Sequence, residues 1–340
     1  MNHGKILVIG PSWVGDMVLA HSLFQALKQQ HPNVQIDVAA PAWTFPLLER
    51  MPEVTEKIAL NFKHGQLALL ERIRFGKSLK HKGYMQAILL VNSLKSAILP
   101  FAAGIPIRTG FLGEMRYGLV NDIRPLDANK LPRTVDRFIA LGLSVSSAVP
   151  KKIANPKLLA DIENAKKALA KLGFPLPTSK VLGLCPGAEY GEAKRWPMEY
   201  YAEVAQNSLA NGWQVWLFGS DKDTPVTNQI NQLCSDRCIN FGGKTNLSEA
   251  IDLISLCHTI ISNDSGLMHV AAALDKKVIA IYGSSDPHHT PPMHPAAVIE
   301  YLGLSCSPCY KRECPLQDEE AHLGCLKKIR PTDIIKYINY

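Results

Sequence analysis

Leu184–Pro197, LCPGAEYGEAKRWP, and Ile261–Leu274, ISNDSGLMHVAAAL, decide the fold of this chain. Each runs from a short apolar segment through a glycine-containing turn into a helical pattern, the repeating unit of an α/β layer. Such a turn leaves unpaired backbone N–H groups at the helix start, where they hold an anion. Two of them in one half of the chain, one carrying Lys194 and the other His269, point to a cleft built for a diphosphate. A nucleotide-activated substrate is the natural owner of that group.

Outward from these turns the alternation continues. Val181–Cys185, Gln214–Phe218, Cys238–Asn240, Thr259–Ser262 and Val278–Tyr282 read as strands, and Met198–Asn211, Thr224–Cys234, Leu247–Cys257 and Gly266–Leu274 as helices. Toward the N-terminus, Lys5–Gly10, Gln35–Ala40 and Met85–Val91 read as strands, with helices over Met17–Gln30, Ala42–Met51 and Lys95–Ala103. Alternation of this kind predicts parallel sheets wound on both faces. A charged helical stretch, Asn155–Leu172, precedes GFPLPTS, whose glycine and two prolines mark a linker. The expected organisation is a Rossmann-like domain over 1–173, a linker over 174–179 and a second Rossmann-like domain over 180–328. A terminal helix within 329–340 is expected to cross back over the junction. The fold class is therefore α/β, two αβα domains facing each other across a cleft, with ligands outside the carboxyl ends of the strands.

Bulk properties agree with a globular protein. Of 340 residues, 46% are hydrophobic and 20% charged, an ordinary soluble balance. The apolar run Ile6–Ile9 is too short for a signal peptide, and Ala87–Ile107 is broken by Asn92 and Lys95 and ends at Arg108. A cytoplasmic location without a membrane span is expected. The net charge of +7 is unevenly placed: residues 1–150 hold 17 Lys/Arg against 10 Asp/Glu, the rest 20 of each. The excess gathers in KHGQLALLERIRFGKSLKHK, with Lys63, Arg72, Arg74, Lys77, Lys80 and Lys82 against Glu71 alone. This is either a solvated helix face or a site for a large anion such as a phosphorylated lipid or a membrane surface. Phe75 is the single aromatic among these charges, which argues against nucleic acid.

GPSWVGDM, Gly10–Met17, follows the first strand and fails the G-x-G-x-x-G spacing of a dinucleotide site. Asp16 stands there either as a helix cap or as a general base for an acceptor hydroxyl. Lys194 offers a compact charge to a phosphate, with Arg195 as its neighbour and Trp196–Pro197 to fix its approach. Ser265 and Gly266 offer backbone N–H groups, with His269 on the first turn behind them. Asp264 is discordant beside a phosphate and is expected to cap the helix or bind a sugar hydroxyl. GSSDP, Gly283–Pro287, is a further candidate wall.

Cys185, Cys234, Cys238 and Cys257 read as small buried residues. Cys306, Cys309, Cys314 and Cys325 are spaced C-x2-C-x4-C-x10-C in a loop-rich tail. That spacing is compatible with a structural zinc site; free or redox-active thiols and disulfides are the alternatives, the last disfavoured in a cytosolic protein.

These pieces together resemble the ADP-heptose:lipopolysaccharide heptosyltransferase family, of glycosyltransferase family 9, and within it the second heptosyltransferases. The resemblance is carried by KILVIGPSWVGDMV, DVAAPAW, LLERMPEV, NSLKSA, GIP, RTGF, GEMRYGL, PGAEYGEAKRWP, LFGS and NDSGLMHVAAAL, over nearly the whole chain. It implies a GT-B type fold and metal-independent, inverting transfer of heptose from ADP-L-glycero-β-D-manno-heptose to the first heptose of the inner core, on heptosyl-Kdo2-lipid A. It implies Asp16 as base, Lys194 and His269 as catalytic partners, and a donor site of Gly187, Glu189, Tyr190, Lys194, Asp264, Ser265, Gly266 and His269. Asp223 (or Asp221) would take the ribose, and Thr245 would lie near the adenine. The acceptor would meet Trp13, Lys63, Arg72, Arg74, Lys77, Asn92, Ser93, Lys95 and Arg116, with Arg108 a weaker candidate. The enzyme would work peripherally on the cytoplasmic face of the inner membrane. The cysteine tail occurs in only some relatives, which implies that transfer itself needs no metal there.

Overall fold

The computed structural model describes residues 4–62, 65–145 and 147–338, and all counts are of these residues. The chain forms two compact units, Met1–Pro156 and Lys157–Tyr340.

The first unit runs β1 (Lys5–Ile9), α1 (Val14–Gln30), β2 (Gln35–Ala40), α2 (Phe45–Leu48), β3 (Val54–Ala59), α3 (Leu69–Ser78), β4 (Tyr84–Leu89), α4 (Leu94–Ala102), β5 (Ile107–Phe111), β6 (Asp122–Arg124) and α5 (Thr134–Gly142). Its strands form one parallel sheet in the order β3-β2-β1-β4-β5-β6. The central strands are apolar on both faces because helices cover both: Leu7, Ile9, Ala39, Ala87 and Leu89 are fully or nearly fully buried. Helix α1 packs on α5, and α3 on α4.

The second unit runs α6 (Ile162–Lys171), β7 (Val181–Cys185), α7 (Met198–Ala210), β8 (Gln214–Leu217), α8 (Thr224–Leu233), β9 (Ile239–Asn240), α9 (Leu247–Ser255), β10 (Thr259–Asn263), α10 (Gly266–Ala273), β11 (Lys277–Ile281), β12 (Val298–Glu300), α11 (Gly324–Lys327) and α12 (Pro331–Ile335). The sheet order is β12-β11-β10-β7-β8-β9, again parallel throughout. In each sheet the first three strands run out to one side and the next three to the other. The order therefore reverses between β1 and β4, and between β7 and β10. Crevices at such reversals are where α/β sheets bind ligands.

The unit boundary differs from the expected one. Helix α6 packs on α9, the Asp161 N–H and Asn164 Nδ2 donate to the buried Asp252 carboxylate at 2.9 and 2.7 Å, and the Leu158 N–H donates to the Ala273 carbonyl at 2.8 Å. The chain thus joins the second unit before α6, and 174–179 is a loop inside that unit. Proline and glycine mark where helix stops, not where burial changes partner. Helix α12 likewise packs on α7 of its own unit, and Lys277 Nζ donates to the Tyr337 carbonyl at 2.6 Å, so the tail closes the second unit. Sequence periodicity missed α5 and the strands β3, β5, β6 and β12, and the short or half-exposed patterns of β3, β6 and β12 carry a weak signal. Among the described residues no helix is long and apolar enough to cross a membrane.

Candidate active site

The two turns singled out in the sequence leave adjacent strands. Leu184 pairs with Ile261 and Cys185 with Ser262, so both turns emerge side by side at the reversal point of the second sheet. The buried side chain of Asn263, the last residue of β10, ties them together. Its Oδ1 accepts from the Trp196 N–H and the Tyr201 hydroxyl, each at 3.0 Å, and its Nδ2 donates to the Pro186 carbonyl at 2.7 Å. Sequence reading gave Asn263 no role; its place between a buried strand and the DSG turn was the available signal. Trp196 is buried and its indole donates to the Ile329 carbonyl at 2.9 Å, which anchors the Lys194 turn from behind.

Lys194 Nζ meets Asp264 Oδ2 at 2.5 Å, and the Ser285 hydroxyl donates to the same oxygen at 2.6 Å. Asp264 therefore does not cap α10. It is the buried counterion that aims Lys194, which corrects the cap expected of this carboxylate. The N-cap of α10 is Ser265, whose side chain makes no capping bond, so the first N–H groups of the helix keep their donors for a ligand. Ser265 Oγ lies 3.1 Å from Ser262 Oγ, and Gly266 opens the helix. GSSDP enters through Ser285.

His269 is buried on α10. Burial pulls its imidazole down to about 4; the nearby Asp264 opposes this and Lys194 adds to it. At neutral pH it is thus an uncharged hydrogen-bonding group, and its Nδ1 is buried without a partner among the described residues. It can orient a ligand oxygen but adds no positive charge of its own.

The remaining donor candidates divide. Gly187 is required by close approach: a Cβ there would lie 2.3 Å from the Asp223 carboxyl carbon. Asp223, rather than Asp221, is the acid brought against the turn. Its carboxylate already accepts from the Ser220 N–H at 3.0 Å and hydroxyl at 2.8 Å, and lies 3.8 Å from Arg195. Glu189 pairs with Lys222 at the surface. The Tyr190 ring lies between Lys194 Nζ at 5.2 Å and the Arg312 guanidinium at 5.3 Å, and its hydroxyl donates to the Tyr310 carbonyl at 2.7 Å. Thr245 is half-buried in the loop between β9 and α9.

In the first unit, the turn after β1 carries Asp16 in the first turn of α1, partly exposed. The N-cap is Trp13, so Asp16 is not the cap that its residue type favours. Trp13 is exposed, and so is Trp43, whose indole donates to the Ser12 carbonyl at 3.1 Å and fixes it to the same turn. Asn92, Ser93 and Lys95 follow β4, the strand adjacent to β1, and are exposed or half-exposed. Ser93 caps α4 by position, and the Asn92 Oδ1 accepts from Arg116 at 3.3 Å.

Two predicted acceptor ligands are corrected. Arg116 is wholly buried: its guanidinium donates to the Val91 carbonyl at 2.7 Å and to the Phe111 carbonyl, and reaches Ser96 Oγ at 3.1 Å. Arg72 is also buried, with Nε donating to the Leu67 carbonyl at 2.7 Å and the guanidinium 4.0 Å from the Phe62 ring centre. Both charges are spent on the fold. Arg108 likewise donates to the Leu119 and Ile105 carbonyls, at 2.6 and 2.5 Å. Arg74 and Lys77 are exposed on α3, and Lys63 lies outside the described residues.

Cys185, Cys234, Cys238 and Cys257 are buried, as expected. Cys306, Cys309, Cys314 and Cys325 are free thiols lining one cavity of about 30 Å³. The Cys325 thiol is pushed up to about 11 by burial and by the other three sulfurs. Among the described residues no group of three or more His, Cys, Asp or Glu side chains is placed so that it could hold a metal ion.

Comparison with known proteins supports the same reading. Residues 72–319 match the model of glycosyltransferase family 9 (heptosyltransferase). The chain is 48% identical to lipopolysaccharide heptosyltransferase 2 of Salmonella typhimurium and 47% identical to that of Escherichia coli K12, each over 309 residues and 88% of both chains. The structure of E. coli ADP-heptose lps heptosyltransferase II superposes with a TM-score of 0.85 at 41% identity, covering 98% of this chain and 97% of that one. A family 9 glycosyltransferase from Veillonella parvula superposes at 0.84 with 20% identity, covering 98% and 96%, a likeness of fold. The chain belongs to glycosyltransferase family 9, the heptosyltransferases, and has their GT-B type fold.

Proposed function

We propose that the protein transfers L-glycero-D-manno-heptose from ADP-heptose to the first heptose of the lipopolysaccharide inner core, with inversion at the anomeric carbon. The observation that carries this reading is the Lys194–Asp264–Ser285 cluster beside the open N-terminus of α10, at the reversal point of the second sheet. The relatives named heptosyltransferase 2 favour this position in the core over the other heptosyl positions.

In this mechanism the diphosphate of the donor docks on the first N–H groups of α10 and on Lys194. Asp264 keeps the ammonium aimed, and the neutral His269 donates to a diphosphate oxygen. As the bond from the anomeric carbon to the diphosphate breaks, charge grows on the leaving oxygen, and these donors stabilise it in place of a divalent ion. Asp16 accepts the proton of the acceptor hydroxyl, whose oxygen attacks from the face opposite ADP. The excess positive charge of the first unit suits an anionic acceptor, heptosyl-Kdo2-lipid A, at the cytoplasmic face of the inner membrane. Asn92, Ser93, Lys95, Trp13, Arg74 and Lys77 are the groups left to meet it.

The test is ADP release from ADP-heptose with heptosyl-Kdo2-lipid A as acceptor. Wild type should turn over, and Asp16→Asn should lose turnover while binding ADP with nearly unchanged affinity. A variant that keeps the wild-type rate removes Asp16 from the mechanism. A wild-type protein that binds ADP but releases none from the donor is a sugar-nucleotide-binding protein instead.

A further inference from the structure

Two of the five tryptophans stand in water, and both lie at the turns beside Asp16. Trp13 is 52% and Trp43 58% exposed, whereas Trp196, Trp213 and Trp216 are buried. A single exposed apolar side chain is ordinary, but two indoles on neighbouring turns make a patch that a ligand covers. Strands β1 and β2 pair in parallel, with Ile9 opposite Ala39, so the turns that follow them leave the same edge of the sheet together. Trp13 is the N-cap of α1, three residues before Asp16. Trp43 sits in a single 3-10 turn, Ala42–Thr44, after β2.

The backbone beneath both rings is fixed. Ala40 and Thr44, which bracket Trp43, are fully buried, and the Thr44 N–H and hydroxyl both donate to the Pro41 carbonyl, at 3.0 and 2.8 Å. The Met17 N–H donates to the Trp13 carbonyl at 2.9 Å, which ties Trp13 to the first turn of α1. The Trp43 indole N–H is already given to the Ser12 carbonyl at 3.1 Å. Indole has no other polar group, so Trp43 has only its apolar ring to offer a ligand. Charge narrows the choice of ligand further. Neither Pro11–Leu27 nor Ala39–Glu49 contains a Lys or Arg, and the acids there are Asp16 and Glu49. A patch without cations does not suit an anionic lipid surface, which recruits Lys and Arg. It suits an uncharged sugar ring. A pyranose carries hydroxyls around its rim and axial C–H groups on its faces, so an aromatic face can take the ring and leave the rim hydroxyls open to reaction.

We propose that Trp13 and Trp43 form the platform on which the acceptor pyranose lies, with Trp43 fixing the ring that bears the attacking hydroxyl beside Asp16. This rests on the reading of Asp16 as the base that meets a sugar acceptor. The cationic residues Arg74, Lys77 and Lys95 are left for the anionic groups of the acceptor, and the sugar ring itself is held by stacking.

The two exposed indoles report on the platform directly, because the other three are shielded by the fold. Full-length protein is titrated with deacylated heptosyl-Kdo2 oligosaccharide, without donor, and its tryptophan fluorescence is quenched with acrylamide. Quenching should fall as the oligosaccharide binds, and Trp43→Phe should lose most of that response. With ADP-heptose as donor, Trp43→Ala should raise acceptor KM by about tenfold, the loss expected of a central aromatic contact, and leave donor KM unchanged. Trp43→Phe should recover part of that loss, and Trp43→Leu, apolar without a ring, should recover none. If Trp43→Ala melts well below wild type, the shielding of wild type and the Phe and Leu variants decide. A wild type that turns over the oligosaccharide with no change in quenching overturns the platform, and so does a well-folded Trp43→Ala with unchanged acceptor KM. Shielding by vesicles of phosphatidylethanolamine and phosphatidylglycerol, but not by the oligosaccharide, makes the patch a membrane contact and overturns it too. A wild type that releases no ADP from the donor, yet is shielded by the oligosaccharide, refutes the transfer reading and leaves the sugar platform standing.

Discussion

At the scale of the residue, Lys194 and Arg116 show how the same charge type takes opposite fates. Lys194 keeps a partly open ammonium beside one buried carboxylate, so a ligand can share it. Arg116 is wholly buried, and its guanidinium is turned to the Val91 and Phe111 carbonyls, Ser96 Oγ and Asn92 Oδ1, out of reach of a ligand. Lys194→Met should lower turnover by roughly 100–1,000-fold, the usual loss when one preorganised donor to a leaving group is removed. Lys194→Arg should recover little of it, since a planar fork cannot take the place of a point charge beside Asp264. Steady-state rates at saturating donor would check both. Arg116→Met, in contrast, should act on folding: it strips buried carbonyls of their donor and should lower stability by about 2–4 kcal/mol in denaturant titrations.

At the scale of the element, the pairing of β7 with β10 is what makes a site of two turns, and Asn263 is the residue that locks it. Asn263→Ala removes four hydrogen bonds at once and leaves the buried Trp196 N–H and Pro186 carbonyl facing a void. The expected cost is about 2–5 kcal/mol of stability. Donor KM should rise as well, because Trp196 and Pro186 flank the Lys194 turn. A melting curve that matches wild type would show that the turns hold each other without it. The short length of α2 and the missed edge strands belong to this scale too. Val54–Ala59 mixes Thr, Glu and Lys with Val, Ile and Ala because only part of it is buried, so its period is blurred.

At the scale of the molecule, the charge asymmetry sharpens once the units are drawn correctly. Lys151 and Lys152 belong to the first unit, which then holds 19 Lys/Arg against 10 Asp/Glu; the second holds 18 against 20. Replacing exposed Arg74 and Lys77 with Glu should raise acceptor KM by about tenfold at low salt, shrinking as ionic strength rises, with donor KM unchanged. Stability should also depend on pH through His269. Its native value of about 4 lies below the ordinary value of 6.5. The unfolded chain therefore binds the extra proton between those values, so this contribution is full above pH 6.5 and fades as pH falls toward 4. Its size is up to about 3 kcal/mol. Buried His21, also held below its usual range, adds in the same direction. His269→Gln should flatten the profile in this window relative to wild type, and denaturant midpoints from pH 7 to 4.5 would measure it.

The chain by itself settled the α/β class, most strands and helices of the second unit, the two glycine turns and the residues mounted on them. These are local properties: apolar period, turn chemistry and cap preference are written in neighbouring residues. Only the tertiary structure decided that β7 lies beside β10, although β8 and β9 intervene in the chain, and so that Asp264 holds Lys194 while Asn263 and Ser285 complete the cluster. It also decided that Arg72 and Arg116 are buried, that His269 is neutral and that the chain changes unit at Pro156. Each of these depends on which surfaces are withdrawn from water together, and burial of that kind is set by long-range packing that no local pattern records.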